Sequence, residues 1–179
     1  MSKDKVLVEK LQNPALKDSA FSELLDMYQE RLYWNIRKIV HTHENADDVL
    51  QNTFIRIYKS IGNFQQKSSL HTWMYRISYN ESIRFLEKNN KKKFTNIQEV
   101  SSNNLEVLFE DEYFDGNEIQ QKLNIIIDSF TDKQKRVFQM KYFDDLSFRQ
   151  ISEILEISES TLKSTYYTCV KKIEQEILK

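Results

Sequence analysis

Residues 146–167 read LSFRQISEILEISESTLKSTYY, and this stretch indicates two helices joined by a turn. Ser147 can cap a short helix that ends at Leu155, and a longer helix begins near Glu159. A short helix, a turn and a long helix are the layout of a helix-turn-helix, whereas an ordinary packed helix pair with a solvated face is the alternative. Apolar residues occur where two helices that cross steeply must bury their contacts: Leu146, Ile151, Ile154, Leu155, Ile157 and Leu162.

The first turns of the second helix carry small polar and cationic side chains, which can enter a major groove, reach base edges and bind phosphates. Glu156 stands where such a turn usually carries glycine, which weakens the pattern without removing it, because the turn could use another geometry. The candidate DNA-reading residues of this segment are Arg149, Ser160, Thr161, Lys163, Ser164 and Tyr167.

The segment before the helix-turn-helix also reads as helical. An amphipathic helix ends near Phe130, and Thr131 with Gln134 forms a capping-box pattern that begins the next helix, which ends by Asp144. The rear of the chain is therefore predicted to be a four-helix domain. Cys169 shares the last helix with Val170 and Ile173, so a packed thiol is favoured over a sensor.

The front of the chain is predicted to hold three helices. The first spans residues 19–39, after a possible break at Pro14, and the second is expected to be capped by Asn45 and ended by Gly62. A polar stretch over residues 63–69 then precedes a third helix over residues 70–88, which is expected to close on the three lysines at 91–93. Each of the three segments places apolar residues at the 3.6-residue period.

Two polar patterns stand out on these helices. The second helix carries polar groups opposite its apolar stripe, although acidic residues in a first turn are often only partners of the helix dipole: Asp47, Asp48, Gln51 and Asn52. The third helix interleaves aromatic, amide and cationic residues, as in proteins that stack unpaired bases and hold the strand backbone. Trp73 and Ile77 fit a core stripe, whereas Tyr75, Arg76, Tyr79 and Asn80 fit one poorly.

Composition limits the fold class and the compartment. Among 179 residues there are 2 Gly and 1 Pro, which leaves few tight turns and no glycine-rich phosphate loop, so an all-α fold is predicted. Residues 1–93 hold 16 Lys/Arg and 11 Asp/Glu, residues 94–118 hold 0 and 7, and residues 119–179 hold 10 and 9. Two small helical domains, 1–93 and 119–179, joined by a flexible acidic linker over 94–118 are therefore predicted. The single Cys169, the absence of a signal peptide and the lack of a long apolar run predict a cytoplasmic protein without membrane insertion.

The titratable residues do not indicate an enzyme. His41 and His43 lie near a helix end, and His71 follows the polar stretch, but none has cysteine neighbours that would indicate a metal site. No set of nucleophile, base and orienting group is visible. We therefore expect no catalytic residues, no metal and no cofactor.

Taken together, three segments resemble the extracytoplasmic-function group of bacterial RNA polymerase sigma factors: ADDVLQNTF at 46–54, LHTWMYRISYNESIR at 70–84, and the helix-turn-helix at 146–164. The resemblance covers about residues 15–90 and 119–175. It implies core RNA polymerase and promoter DNA as partners, an anti-sigma factor as a further partner, and an acidic linker that occupies the polymerase channel by imitating a phosphate backbone.

The resemblance also implies residue roles. The face with Asp47, Asp48, Gln51 and Asn52 would dock on the polymerase clamp helices. Thr161, Lys163 and Ser164 match the helix that reads the minus-35 element, together with Arg149, Ser160 and Tyr167. The loop that receives a flipped base and the helix that holds the melting strand correspond to the minus-10 set: Lys67, Ser68, Ser69, His71, Trp73, Arg76, Tyr79, Asn80 and Arg84.

The chain departs from the family pattern along the recognition helix, where Thr165, Thr168 and Val170 replace frequent arginines. Unaided DNA binding is therefore expected to be weak and sensitive to salt. Two other functions stay open on the sequence: a dimeric helix-turn-helix regulator that does not bind polymerase, and a helical interaction protein with no DNA role.

Overall fold

The computed structural model describes residues 3–95 and 118–177, and every regular element in these two stretches is helical, which confirms the predicted all-α class. The chain divides into two compact units between residues 102 and 103. The linker predicted over 94–118 lies outside the described residues except at its two ends. The elements are α1 (Lys3–Gln12), α2 (Lys17–Val40), α3 (His43–Ser60), a 3-10 turn (Ile61–Asn63), α4 (Leu70–Thr95), α5 (Glu118–Asp128), α6 (Asp132–Tyr142), α7 (Phe148–Leu155) and α8 (Glu159–Ile177).

In the first unit, α2 packs against α1, α3 and α4, and α3 also packs against α4. The apolar faces of all four helices meet in one core, and burying each large side chain there contributes about 1.5–3 kcal/mol. Its largest wholly buried members include Leu11, Leu24, Leu32, Ile57 and Met74.

Helix α1 is absent from the sequence prediction, which placed its first helix after Pro14. It buries Leu7, Val8 and Leu11 in the core of the first unit. Gln12 at its end donates from Nε2 to the carbonyl oxygens of Ile61 and Phe64 at 3.2 and 2.8 Å. The spacing of the three apolar residues was a usable signal, so α1 could have been predicted.

One predicted helix cap in this unit is wrong, and two predicted helix ends lie close to those observed. Thr42, not Asn45, caps α3, since its side chain accepts a hydrogen bond from the Asn45 N–H at 3.2 Å. Gly62 does not end a helix in a left-handed conformation but lies inside the 3-10 turn. Helix α4 continues through the lysines at 91–93 to Thr95.

In the second unit, α8 packs against α5, α6 and α7. The predicted capping box at Thr131 and the predicted cap at Ser147 are both confirmed, and Ser147 also forms a capping box with Gln150. Cys169 is wholly buried beside Phe130 and Phe138, which confirms the packed thiol, and burial raises the pKa of that thiol.

The turn between α7 and α8 keeps the glycine-type geometry, although another geometry was left open by the sequence. Glu156 itself takes the left-handed conformation, with φ 56° and ψ 37°, and its N–H donates to the Ser152 carbonyl oxygen at 2.9 Å. This conformation costs a residue with a β-carbon about 1–2 kcal/mol. The glycine-type turn of a helix-turn-helix is therefore present without the glycine.

Candidate nucleic-acid interface

The polar face of α3 is exposed as predicted. Thr42 caps the helix, and Ala46, Val49, Thr53 and Ile57 turn inward, whereas the polar residues on the opposite side of the helix are exposed. The Asn52 side chain donates from Nδ2 to the Asp48 carbonyl oxygen at 2.8 Å, which fixes the amide against the helix. The structure thus brings four predicted residues together on one face: Asp47, Asp48, Gln51 and Asn52.

An apolar groove borders this polar face and was not predicted. It lies between α2 and α3 and measures about 330 Å³; its walls are formed by Phe21, Leu25, Phe54, Ile55 and Tyr58. Ile55 is 47% exposed, although it is a large apolar residue. Ile55 lies outside the apolar stripe of α3, and with the other walls of the groove it forms a contiguous apolar patch, the kind of surface that marks a contact site.

Two charged residues at the rim of the groove contact Tyr58, an aromatic residue of its wall. The Tyr58 hydroxyl donates to Asp18 Oδ1 at 2.6 Å, and Lys17 Nζ lies 3.9 Å from the centre of the Tyr58 ring. The hydrogen bond to Asp18 is the main cause that raises the pKa of the Tyr58 phenol. These contacts hold the ring at the mouth of the groove.

The loop before α4 contains Lys67 and Ser68, of which the first is exposed and the second half-buried. Ser69 serves the helix itself, since its Oγ accepts a hydrogen bond from the Thr72 N–H at 3.0 Å. The His71 ring lies 5.9 Å from Tyr75 and 6.3 Å from Tyr28, measured between ring centres. Ser69 and His71 therefore have structural contacts in addition to the DNA role predicted for them.

Helix α4 exposes Arg76, Asn80 and Arg84, which are spaced by four residues and so form one row along the helix. Trp73, half-buried, packs on Phe64 with ring centres 4.9 Å apart. The row and the adjacent loop carry the predicted strand-binding residues that remain available to solvent.

Two aromatic residues of α4 correct the sequence interpretation. Tyr75 and Tyr79 are 2% and 8% exposed, although their pattern had been judged a poor fit to a core. The reason is that α4 is packed by both α2 and α3, so its buried surface is broader than one stripe. Because Tyr79 is buried within the first unit, we remove it from the minus-10 set.

Arg84 is held by a partner that the sequence analysis missed. Its Nη1 donates to Glu81 Oε1 at 2.6 Å, and Arg56 Nε on α3 contacts the same oxygen at 2.7 Å. The i, i+3 spacing of Glu81 and Arg84 was visible in the sequence, but the contact between helices was not.

In the second unit, every residue predicted to read the minus-35 element is exposed. Ser158 begins α8, since its Oγ accepts a hydrogen bond from the Thr161 N–H at 3.3 Å. The two cations of the set are engaged within their own helices: Arg149 Nε lies 3.4 Å from Glu153 Oε1, and Lys163 Nζ lies 3.8 Å from Glu159 Oε2. Both side chains are more than half exposed, and an ion pair of this kind is worth less than about 1 kcal/mol, so DNA can displace it.

Across residues 3–95 and 118–177 there is no group of three or more His, Cys, Asp or Glu side chains that could hold a metal ion. None of the helices described is long and apolar enough to cross a bilayer.

Comparison with known proteins gives two family matches along the chain. Residues 24–92 match Sigma-70 region 2, and residues 126–173 match Sigma-70 region 4. The ECF RNA polymerase sigma factor SigW of Bacillus subtilis is 31% identical over 157 residues, which cover 81% of this chain and 82% of that protein. The ECF RNA polymerase sigma-E factor of Haemophilus influenzae is 25% identical, with 97% and 95% covered.

A solved structure has a similar fold. The sigma factor RpoE of Bartonella quintana, crystallised with the anti-sigma factor NepR, superimposes with a TM-score of 0.68 at 18% identity and covers 88% of this chain and 96% of that one. At this identity the likeness concerns the fold.

Proposed function

The chain belongs to the extracytoplasmic-function group of RNA polymerase sigma factors, and from this premise we propose how its two units divide the recognition of a promoter. As a sigma factor it directs core RNA polymerase to promoters and starts transcription there. We assign the first task, polymerase docking and opening of the minus-10 element, to residues 1–93, and the second, reading of the minus-35 element, to residues 119–179. We propose that the acidic segment predicted over 94–118, whose first and last residues belong to α4 and α5, connects the two units.

Polymerase docking is proposed for α3. The four exposed polar residues at 47, 48, 51 and 52 lie next to the apolar groove, so one partner could bury apolar area and pair with carboxylates at the same time. An interface of this type has an apolar centre and a polar rim. We propose that the polymerase clamp helices cover both the polar face and the groove.

Opening of the minus-10 element is proposed for α4 and the loop before it. The exposed row of Arg76, Asn80 and Arg84 offers one amide and two cations along a length that several nucleotides can follow, and Lys67 and Ser68 border its start. An unpaired base can be read by an amide only after the strands part. Trp73 packs on Phe64 and supplies one edge of the loop, while Ser69 and His71 hold the loop in place.

Reading of the minus-35 element is proposed for the first turns of α8. Ser160, Thr161, Lys163 and Ser164 extend from a helix whose base is fixed by the buried Leu162. Lys163 can donate to a guanine edge, and Arg149 and Tyr167 lie in positions suited to the backbone. The observation that supports the division of tasks best is that each unit exposes its own polar helix face, and the two units match separate sigma regions.

Two further properties follow from this role. We propose that the protein acts in the cytoplasm without an enzymatic reaction or cofactor of its own, since polymerase performs the chemistry. We also propose an anti-sigma factor as a partner, because a related fold was crystallised with one.

The test is run-off transcription. Purified core polymerase is combined with the chain and with fragments of the source bacterium's genomic DNA, and transcripts are mapped. We expect products that begin at a small set of shared promoter sequences and that disappear without the chain. A core polymerase that gains no promoter-dependent transcription would contradict the proposal.

A further inference from the structure

Glu81 on α4 accepts two arginines at one oxygen. Its Oε1 lies 2.7 Å from Arg56 Nε on α3 and 2.6 Å from Arg84 Nη1 on α4. The carboxylate side chain is 12% exposed, whereas the side chains of Arg56 and Arg84 are 51% and 57% exposed. The anion of this cluster is therefore largely covered, and its two cations face solvent.

The charges of the cluster do not cancel. Two guanidinium groups and one carboxylate leave a net charge of about +1. Each arginine directs at Glu81 only one of the roughly five N–H groups that a guanidinium carries. The shared carboxylate also restricts both long side chains before any ligand arrives, which lowers the entropy cost of a further contact. A second anion with several oxygen acceptors is the ligand that such a pair suits best.

The position of the cluster indicates which anion that is. Arg84 is the last member of the exposed row that begins at Arg76, and Arg56 lies one turn beyond Asn52 on α3. A strand that follows the row on α4 therefore brings its backbone to the two arginines. If the cluster served only to brace α3 against α4, its guanidinium groups would not need to be exposed to solvent.

We propose that Arg56 and Arg84 together bind one backbone phosphate of the promoter strand that lies along α4, and that Glu81 is the positioning residue that holds them side by side. This inference rests on the strand-opening role proposed above for α4. It adds Arg56 and Glu81, for which no role was predicted from the sequence. It also makes the contact of Arg84 one with phosphate, independent of base sequence.

The test uses the holoenzyme and a promoter found by run-off transcription, prepared as a duplex whose minus-10 segment is already unpaired. Single phosphates of the non-template strand are replaced in turn by uncharged methylphosphonates, and the dissociation constant is measured at several KCl concentrations. With the unchanged protein we expect one replacement to weaken binding about tenfold, the effect of one lost charge-assisted hydrogen bond. The same replacement should have no further effect with Arg84→Ala or Arg56→Ala holoenzyme.

The salt dependence gives a second readout. Each arginine variant should lower the slope of log K against log [KCl] by about 0.7–0.9, the value for one phosphate contact. The double variant should lower it by little more than either single variant, because both side chains share one phosphate. Lys5→Ala is the matched control: it removes one exposed cation from α1, outside the cluster and the docking groove, and should keep the methylphosphonate effect.

Glu81→Gln separates positioning from bulk charge. It makes the protein more positive, so bulk charge alone predicts tighter DNA binding, whereas loss of positioning predicts a smaller methylphosphonate effect at the sensitive phosphate. Tighter binding with an unchanged effect would overturn the role of Glu81. The phosphate site itself would be contradicted if wild-type holoenzyme binds the template and every replacement has the same effect in the arginine variants as in the wild type. Failure of wild-type holoenzyme to bind it at all would instead contradict the proposed function.

Discussion

Helices α4 and α8 both carry predicted DNA-binding residues, but they separate core from surface in different ways. Helix α4 packs against α2 and α3, and the residues of its exposed row alternate along the helix with buried residues such as Met74 and Tyr79. The first turns of α8 project from their unit, and over residues 159–168 only Leu162 is buried. A substitution on α4 therefore risks both fold and function, whereas the start of α8 allows the two to be tested separately.

The largest expected effect concerns Leu162, the one buried residue in the first turns of α8. Leu162→Ala removes a wholly buried side chain and should lower the free energy of unfolding of the second unit by about 2–5 kcal/mol. Because the first unit has its own core, its amides should keep their protection in hydrogen exchange followed by mass spectrometry. Leu24→Ala is the matched variant, which should affect the first unit alone. Loss of protection in both units from either change would contradict the separation.

A second prediction concerns the α3 face. Asp48→Lys should weaken binding to core polymerase by about 1–3 kcal/mol, since an attractive charge becomes a repulsive one. Asp48 is exposed, so the melting temperature of the free protein should change little. Fluorescence anisotropy with labelled protein and purified core polymerase measures the affinity. Glu9→Lys makes the same charge change on α1, and an equal loss with it would mean that net charge, and not this face, is responsible.

The same contrast explains what could be predicted from sequence. The helix-turn-helix was predicted closely because its caps are local: Ser147 and Gln150 lie three residues apart and specify the start of α7 without help from the rest of the fold. The burial of Tyr75 and Tyr79 was not predicted, because it depends on two neighbouring helices that cover α4 from both sides. The Arg56 contact with Glu81 joins two helices and leaves no local pattern. The left-handed conformation of Glu156 was not predicted, because the turn adopts the conformation of glycine at a cost that the surrounding packing offsets.

A third prediction compares the two surfaces in transcription. Asn80→Ala should reduce strand opening, detected by permanganate footprinting, and a template with a preformed bubble should restore most of the activity. Lys163→Ala should weaken DNA binding by about 1–2 kcal/mol, and the loss should be confined to one position of the minus-35 element. This is the low end for a base contact, because Lys163 must leave Glu159 to make it. The bubble should restore little of that loss, since upstream reading and melting are different steps.

Arg149→Ala is the control for that comparison, because a phosphate contact should weaken binding by a similar amount on every minus-35 sequence. If a bubble rescued Asn80→Ala and Lys163→Ala equally, the proposed division of tasks between α4 and α8 would be wrong. Normal permanganate reactivity with Asn80→Ala would make Asn80 a structural residue.

The smallest expected effect concerns the turn that positions α8. Glu156 holds a left-handed conformation that glycine adopts without a β-carbon clash, so Glu156→Gly should stabilise the second unit, but by only about 0.5–1 kcal/mol because glycine also gains freedom in the unfolded chain. Glu156→Ala keeps the β-carbon and removes the same carboxylate, so it should not produce this gain. Thermal unfolding of the two variants side by side separates backbone strain from the loss of a charge. A gain of equal size in both would show that the carboxylate, and not the left-handed backbone, is what destabilises the turn.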